Sequence, residues 1–310
     1  MKKALIIYAL LLVAFFLLQP TDYVHSFVNG INLWAVNVLP ALFPFMVLSR
    51  LLAHTGDTVT SSQSSMKRVL GLPRVCWKLF LISCLCGYPI GAKLTEEFYS
   101  YGTFNRRHCY LMTALCSLPS PIFCAVTVGK LMFNNLLVGV VIYGSCVISS
   151  LILCILMNIT FLREKSLIAD EHTVADSTAI PSQQPLDNMN QSIMSILSVG
   201  AYIALFSVLC DMLTNITDSV SISNRSNLVM AYGLLEMTNG CSRAVQMIGG
   251  TTAMGLCAFY VASGGLCVYM QCLGYNRKCH LNGGKVAIIK LLQGAMAFIV
   301  STAIIALFSL

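Results

Sequence analysis

The chain has 310 residues, of which 57% are hydrophobic and 10% charged, with a formal net charge of +7. A soluble globular domain carries roughly 25% charged residues, so a soluble domain is excluded and an all-α polytopic membrane protein is expected. In such a chain a positive balance is loop charge that orients the spans, and no nucleic-acid partner is expected.

The N-terminus reads Met1-Lys2-Lys3, then an apolar run from Ala4 to Leu18. No small-residue cleavage site follows it, so a retained first span is expected rather than a signal peptide. Long apolar runs then recur at 26–53, 104–133, 135–162, 191–213, 250–274 and 286–309. With the first, at 4–19, each is long enough or nearly so to cross about 30 Å of hydrocarbon at 1.5 Å per residue. The 14 cysteines show no C-x-x-C and no framework spacing, and most sit inside apolar runs. They are expected to be small, buried free thiols.

Two apolar pieces are cut in the middle. Residues 75–101 are interrupted by "GYPIGAK" and residues 226–248 by "EMTNGCSR". Each half is about ten to twelve residues, roughly 15–18 Å as helix, too short to span. Two such halves form a re-entrant hairpin that returns to its own side, or else one kinked span. Charge favours the hairpins. With hairpins and a cytoplasmic N-terminus, Lys2, Lys3, Arg50, Lys67, Arg68, Arg74, Lys78, Arg106, Arg107, Arg163, Lys165, Arg277, Lys278 and Lys285 all fall inside, 14 of the 19 basic residues. The expected fold is thus about seven transmembrane helices plus two re-entrant hairpins, in the cell membrane, with the N-terminus cytoplasmic and the C-terminus outside.

Residues 163–190 are rich in Ser, Thr and Asp and hold two prolines, the composition of a flexible polar linker. Four segments follow: an N-terminal transmembrane helix (1–25), a first repeat (26–162), the cytoplasmic linker (163–190) and a second repeat (191–310). "VLPALFPFMVLSRLL" runs alongside "VGAYIALFSVLCDML", and "GYPIGAK" alongside "EMTNGCS" with Gly91 against Gly240. "ALCSLPSPIF" runs alongside "AFYVASGGLC". Three spans per block is an odd number, so the second block is inverted. Inverted repeats broken at matching places are a transporter signature whose breaks point to the binding site.

At the first break Gly87 and Gly91 permit a turn and Pro89 stops the helix. Tyr88 sits at the tip. A second half-helix starting near Gly91 would turn its N–H groups toward the membrane centre, a seat for an anion. Lys93 would add a full charge there, or else pair with Glu96 or Glu97. At the second break Glu236 ends a half-helix and Asn239-Gly240 make the turn. An ionisable residue at that depth is functional by default, the alternative being an ion pair with Arg243 or Lys93. "SLPSP" (Ser117, Ser120) and "SGG" (Ser263, Gly264) unwind the spans that follow and bring hydroxyls and carbonyls to the tips, or simply kink for packing. Gln271 could face the same cavity. No H-E-x-x-H, G-x-S-x-G or Walker A run occurs, so neither an enzyme, a cofactor nor a metal centre is expected.

The set "LPALFPFMVLSRLL", "GYPIGAK", "SLPSP", "GLLEMTNGC" and "GGLCVYMQ" resembles the YlbJ-type sporulation integral membrane proteins over about 26–309. That group belongs with nucleoside-recognition or gate domains, which include concentrative nucleoside transporters and ferrous iron transporter B. The resemblance implies gate-like repeats and a role in moving dipicolinic acid toward the developing spore. In the nucleoside transporters the hairpin tips carry a Gln-Thr-Glu-like run and a second Glu. Here the first tip lacks the acid, and Glu236 alone matches in kind. Gaining Lys93 where an acid is lost favours an anion over a nucleoside. The expected function is a secondary transporter of a small organic anion working by alternating access, with membrane lipid around it and a homo-oligomer left open. A nucleoside carrier coupled to H+ or Na+ through Glu236 and a non-transporting scaffold acting through the linker are the alternatives.

Overall fold

A computed structural model describes residues 20–54, 72, 74–163, 185–219 and 228–308. The apolar run at 4–19 and most of the linker lie outside them. Among the described residues the chain is helical throughout, with no strand.

In chain order the elements begin with α1 (Pro20–Leu33), which passes through a π-wound stretch, Trp34–Val38, into α2 (Leu39–His54) without a break. Then come α3 (Arg74–Cys86), α4 (Ile90–Ser100) and α5 (Arg106–Cys116). A π-wound helix follows at Phe123–Met132, then α6 (Leu136–Arg163). After the linker α7 (Pro185–Ser219) is one long helix, so the last residues given above to the linker are already helical. The chain ends with α8 (Val229–Leu235), α9 (Met237–Met247), α10 (Gly250–Ser263), α11 (Gly265–Lys278) and α12 (Gly283–Phe308).

Among the described residues four stretches are long and apolar enough to cross a membrane: Leu136–Thr160, Ser192–Thr217, Gly250–Lys278 and Gly283–Leu307. They match the runs expected at 135–162, 191–213, 250–274 and 286–309. The runs at 26–53 and 104–133 are helical as well, but the first is π-wound in its middle and the second is interrupted at residues 117–120. On α6 the residues Val140, Ile148, Ile152, Leu156 and Ile159 are exposed, while Ile142, Cys146, Leu153 and Cys154 are buried. An exposed face this apolar is what a helix turned to lipid requires.

The two blocks share an order: a long helix, a broken pair, a helix that stops and restarts, and a final long helix. They pack into one core, with α10 on α12, α12 on α6, and α1 on α7. Small residues set these crossings, as expected where apolar burial alone cannot drive helices together. A side chain at Gly30 would strike the Ala204 backbone and Ser207 on α7. All 14 cysteines are free thiols, and all but Cys84 are buried.

Candidate functional site

Four interruptions build the site. The first lies between α3 and α4. The Gly87 N–H still closes α3 on the Ser83 carbonyl at 2.9 Å, and then Gly87 turns to φ +75°. That left-handed value is open to glycine at little steric cost. The Tyr88–Pro89 peptide is cis, and α4 starts at Ile90. The turn leans on the second interruption: Tyr88 N–H donates to the Leu118 carbonyl at 2.7 Å. A side chain on Gly87 would run into the Ser120 backbone, and one on Gly91 into the Cys116 carbonyl.

The second interruption, residues 117–120, separates α5 from the π-wound helix. Ser120 Oγ accepts the Phe123 N–H at 3.2 Å, a hydroxyl cap on the restarting helix. Ser117 contributes its carbonyl, discussed below, rather than its hydroxyl.

The third lies between α8 and α9 and differs from expectation. The turn is at Glu236 itself, which is extended (φ −144°, ψ 119°); Asn239 and Gly240 sit inside α9. The reason is capping. Glu236 Oε1 accepts the Thr238 N–H at 3.0 Å, and Oε2 accepts the Asn239 N–H at 2.8 Å and its side-chain amide at 3.0 Å. A carboxylate at a helix N-terminus satisfies orphan donors and meets the positive end of the dipole. Gly240 is needed for another purpose, because a side chain there would strike the Gly233 Cα where α8 crosses α9. Glu236 is 1% exposed. The ion pair with Arg243 is not formed: that guanidinium lies 3.8 Å over the Tyr232 ring and donates to Thr214 Oγ1 at 3.0 Å.

The fourth separates α10 from α11. Gly264 and Gly265 both take positive φ, +77° and +63°. Ser263 turns its hydroxyl back onto the Tyr260 carbonyl at 3.2 Å. Gly265 sits over the last carbonyls of α8, those of Gly233, Leu234 and Leu235, where a side chain would not fit comfortably.

These breaks meet. A cavity is lined by Tyr88, Ser120, Glu236, Thr238, Cys267 and Gln271, with apolar walls from α2 and α7. Residues from all four interruptions or their first turns therefore face one space, as does Gln271. A second, smaller cavity shares Val268 with the first and is lined by Thr113, Ser117, Tyr269, Asn276 and Lys290.

Lys290 was not singled out in the sequence. It sits in the middle of α12, 6% exposed. Its Nζ donates to the Ser117 carbonyl at 2.9 Å, the Ala262 carbonyl at 2.6 Å and Gln293 Oε1 at 2.7 Å. The first two oxygens belong to the C-terminal ends of α5 and α10. The cation therefore sits at the negative ends of two helices, as the Glu236 carboxylate sits at the positive end of a third. A Lys within the apolar run, followed by Gln three residues on in a 26-residue helix, was the available signal.

Lys93 goes elsewhere. Its Nζ donates to Ser195 Oγ on α7 at 2.7 Å, and it lines neither cavity. Asn239 serves the Glu236 cap, and Gly240, Gly91 and Gly264 shape the backbone around the site. Glu96 pairs with Lys278 at 3.4 Å. Among the described residues no three His, Cys, Asp or Glu side chains are grouped to hold a metal ion.

No family model matches the chain, and no solved structure matches it. The chain is 22% identical over 302 residues to the sporulation integral membrane protein YlbJ of Bacillus subtilis (strain 168), covering 87% of this chain and 74% of that protein. Together with the four apolar stretches among the described residues, this similarity supports an integral membrane protein.

Proposed function

We propose that the chain is a secondary transporter of a small organic anion. The observation that carries it is the convergence of four helix interruptions on two adjoining cavities in the core. Broken backbone at membrane depth is tolerated where it lines a cavity or is buried in protein, and midplane breaks related by a repeat are where carriers hold their solutes. α3–α4 and α8–α9 then act as re-entrant hairpins entering from opposite faces, with the N-terminus cytoplasmic, and the blocks rock about the cavities. In this reading the chain is a carrier rather than a catalyst.

The anionic substrate finds its cation in Lys290 rather than Lys93. Lys290 lines the smaller cavity with Thr113, Tyr269 and Asn276, which supply hydroxyl and amide donors. None of the three oxygens it binds carries a charge, so its positive field is left for a solute. The name of the relative brings sporulation, and the resemblance brings pyridine dicarboxylate, as the first solute to try. Purified protein in proteoliposomes should accumulate labelled dipicolinate above protein-free vesicles. Absence of uptake of that solute and of other small di- and monocarboxylates would overturn the proposal.

A second reading is favoured by the larger cavity. It has Glu236 and no Lys or Arg in its lining. Tyr88, Ser120, Thr238 and Gln271 would suit an uncharged solute with hydrogen-bonding edges, such as a nucleoside, with Glu236 taking a coupling proton. Saturable nucleoside uptake lost in Glu236→Gln would establish it.

A further inference from the structure

Two helices stop at the same point in the core, and a third supplies a cation there. α5 ends at Cys116 and α10 at Ser263. The carbonyls of Ser117 and Ala262 are left without an onward helical partner, and Lys290 Nζ binds both, with Gln293 Oε1 as the third oxygen. An ammonium has three protons and no acceptor, so the three oxygens match it one for one. Gln293 is itself fully buried and turns its Nε2 toward the Ser117 carbonyl at 3.5 Å. The Ser117 carbonyl just past α5 and the Ala262 carbonyl in the last turn of α10 are C-terminal oxygens of the kind with which carriers hold a small monovalent metal ion, and the Gln293 amide oxygen adds a third.

We infer that Lys290 is a tethered cation occupying a monovalent-cation seat, so that the two broken helices are held together without an inorganic ion. Removing the amine turns the seat into a site for Na+ or a similar hard cation. The ionisable groups facing the amine are thiols, Cys146 from α6 and Cys272 from α11. The nearby oxygens are neutral, so the seat's preference is for a single positive charge. The inference concerns what closes the core and stands apart from whether the chain moves a solute.

The test is thermal unfolding of the purified full chain in detergent, in NaCl, LiCl or KCl against choline chloride at equal ionic strength. The wild type should shift by less than about 1 °C between these salts, its seat being filled. Lys290→Ala should unfold several degrees lower in choline and recover about 3–5 °C as one small cation saturates the vacated oxygens. Lys290→Ser, whose hydroxyl can turn to its own helix backbone, carries the same measurement if the alanine variant does not accumulate. Adding Gln293→Leu to either variant should abolish the recovery, which ties it to this seat. A cation-specific stabilisation of the wild type, no recovery in the variants, or a recovery that survives Gln293→Leu would each overturn the inference. Uptake assays have no part in this outcome, so its failure and that of the transport proposal are separable.

Discussion

The two broken pairs solve the same problem by different chemistry. α3–α4 is stopped by backbone constraint: Gly87 at positive φ and Pro89 at the start of α4, with no side chain capping the new helix. α8–α9 has neither device at its break. It relies on the Glu236 carboxylate, which takes two backbone N–H groups and one amide. The helices that follow differ the other way round. The first restarts under a hydroxyl cap from Ser120, and the second under two glycines at positive φ. Each block therefore holds one break set by conformation and one set by a polar side chain. The consequence is chemical: a carboxyl group stands at the second block's broken pair and none at the first block's tip, while Lys290 bridges one break from each block.

The largest effects should come from what the two pairs have in common, a glycine at the crossing of the half-helices or of the helix beside them. Gly240→Val drives a branched side chain into the Gly233 backbone, and Gly91→Val into the Cys116 carbonyl. Neither backbone has room to yield, so each should cost about 3 kcal/mol or more, read as a fall in the unfolding temperature or loss of folded protein. A mild effect at one position only would mean that the blocks are not built on the same plan.

Next in size are the polar caps. Glu236→Ala strips the first turn of α9 of its acceptor and should cost about 1–2 kcal/mol, whereas Ser120→Ala removes one hydroxyl bond and should cost about 1 kcal/mol. Glu236→Gln keeps one oxygen for the cap and loses the charge. Stability retained with uptake lost would show that the carboxylate serves transport beyond capping. Gly264→Ala comes lower, at about 1 kcal/mol for forcing a side chain to φ +77°, with the new methyl also pressed on Val268. A neutral outcome there would mean that the break before α11 does not depend on glycine.

How far the sequence carried these features depends on where their causes lie. The break at Gly87–Pro89 was legible because glycine and proline act locally and leave a mark in the residue type. The interruptions at 117–120 and at 264–265 were legible for the same reason. The turn at Asn239-Gly240 was misplaced because that dipeptide is a strong local turn signal, while a Glu cap is set by which N–H groups it meets in space. Lys290 was missed for a third reason. Two of its three partners are main-chain oxygens, from residues 173 and 28 positions away, and any residue has a carbonyl. The pairing of Arg243 with Tyr232 and Thr214, in place of Glu236, has the same origin: α7 brings Thr214 to it across 29 positions.

The smallest expected effect tests which lysine would meet the anion in the proposed transport. Lys93 begins the second turn of α4, close to the tip that lacks an acid, and from sequence it is the natural partner for an anion. In the structure its Nζ reaches Ser195 on α7, tying α4 to that long helix. A half-buried hydrogen bond of this kind is worth about 1 kcal/mol, so Lys93→Met, which keeps the stem, should lower the unfolding temperature by only a few degrees at most. Because Lys93 lines neither cavity, the KM for a transported carboxylate should stay within about threefold, against a loss of more than about tenfold for Lys290→Met, where a full charge beside the solute is removed. If the two results were exchanged, α4 would have to swing its lysine into the cavity during the proposed cycle. The contrast between a first tip without a carboxyl group and a second with one would then describe only one state of the protein. Measuring both variants at one pH, with the same labelled solute and in vesicles of one lipid composition, separates these outcomes by the ratio of two KM values, which does not require equal expression of the variants.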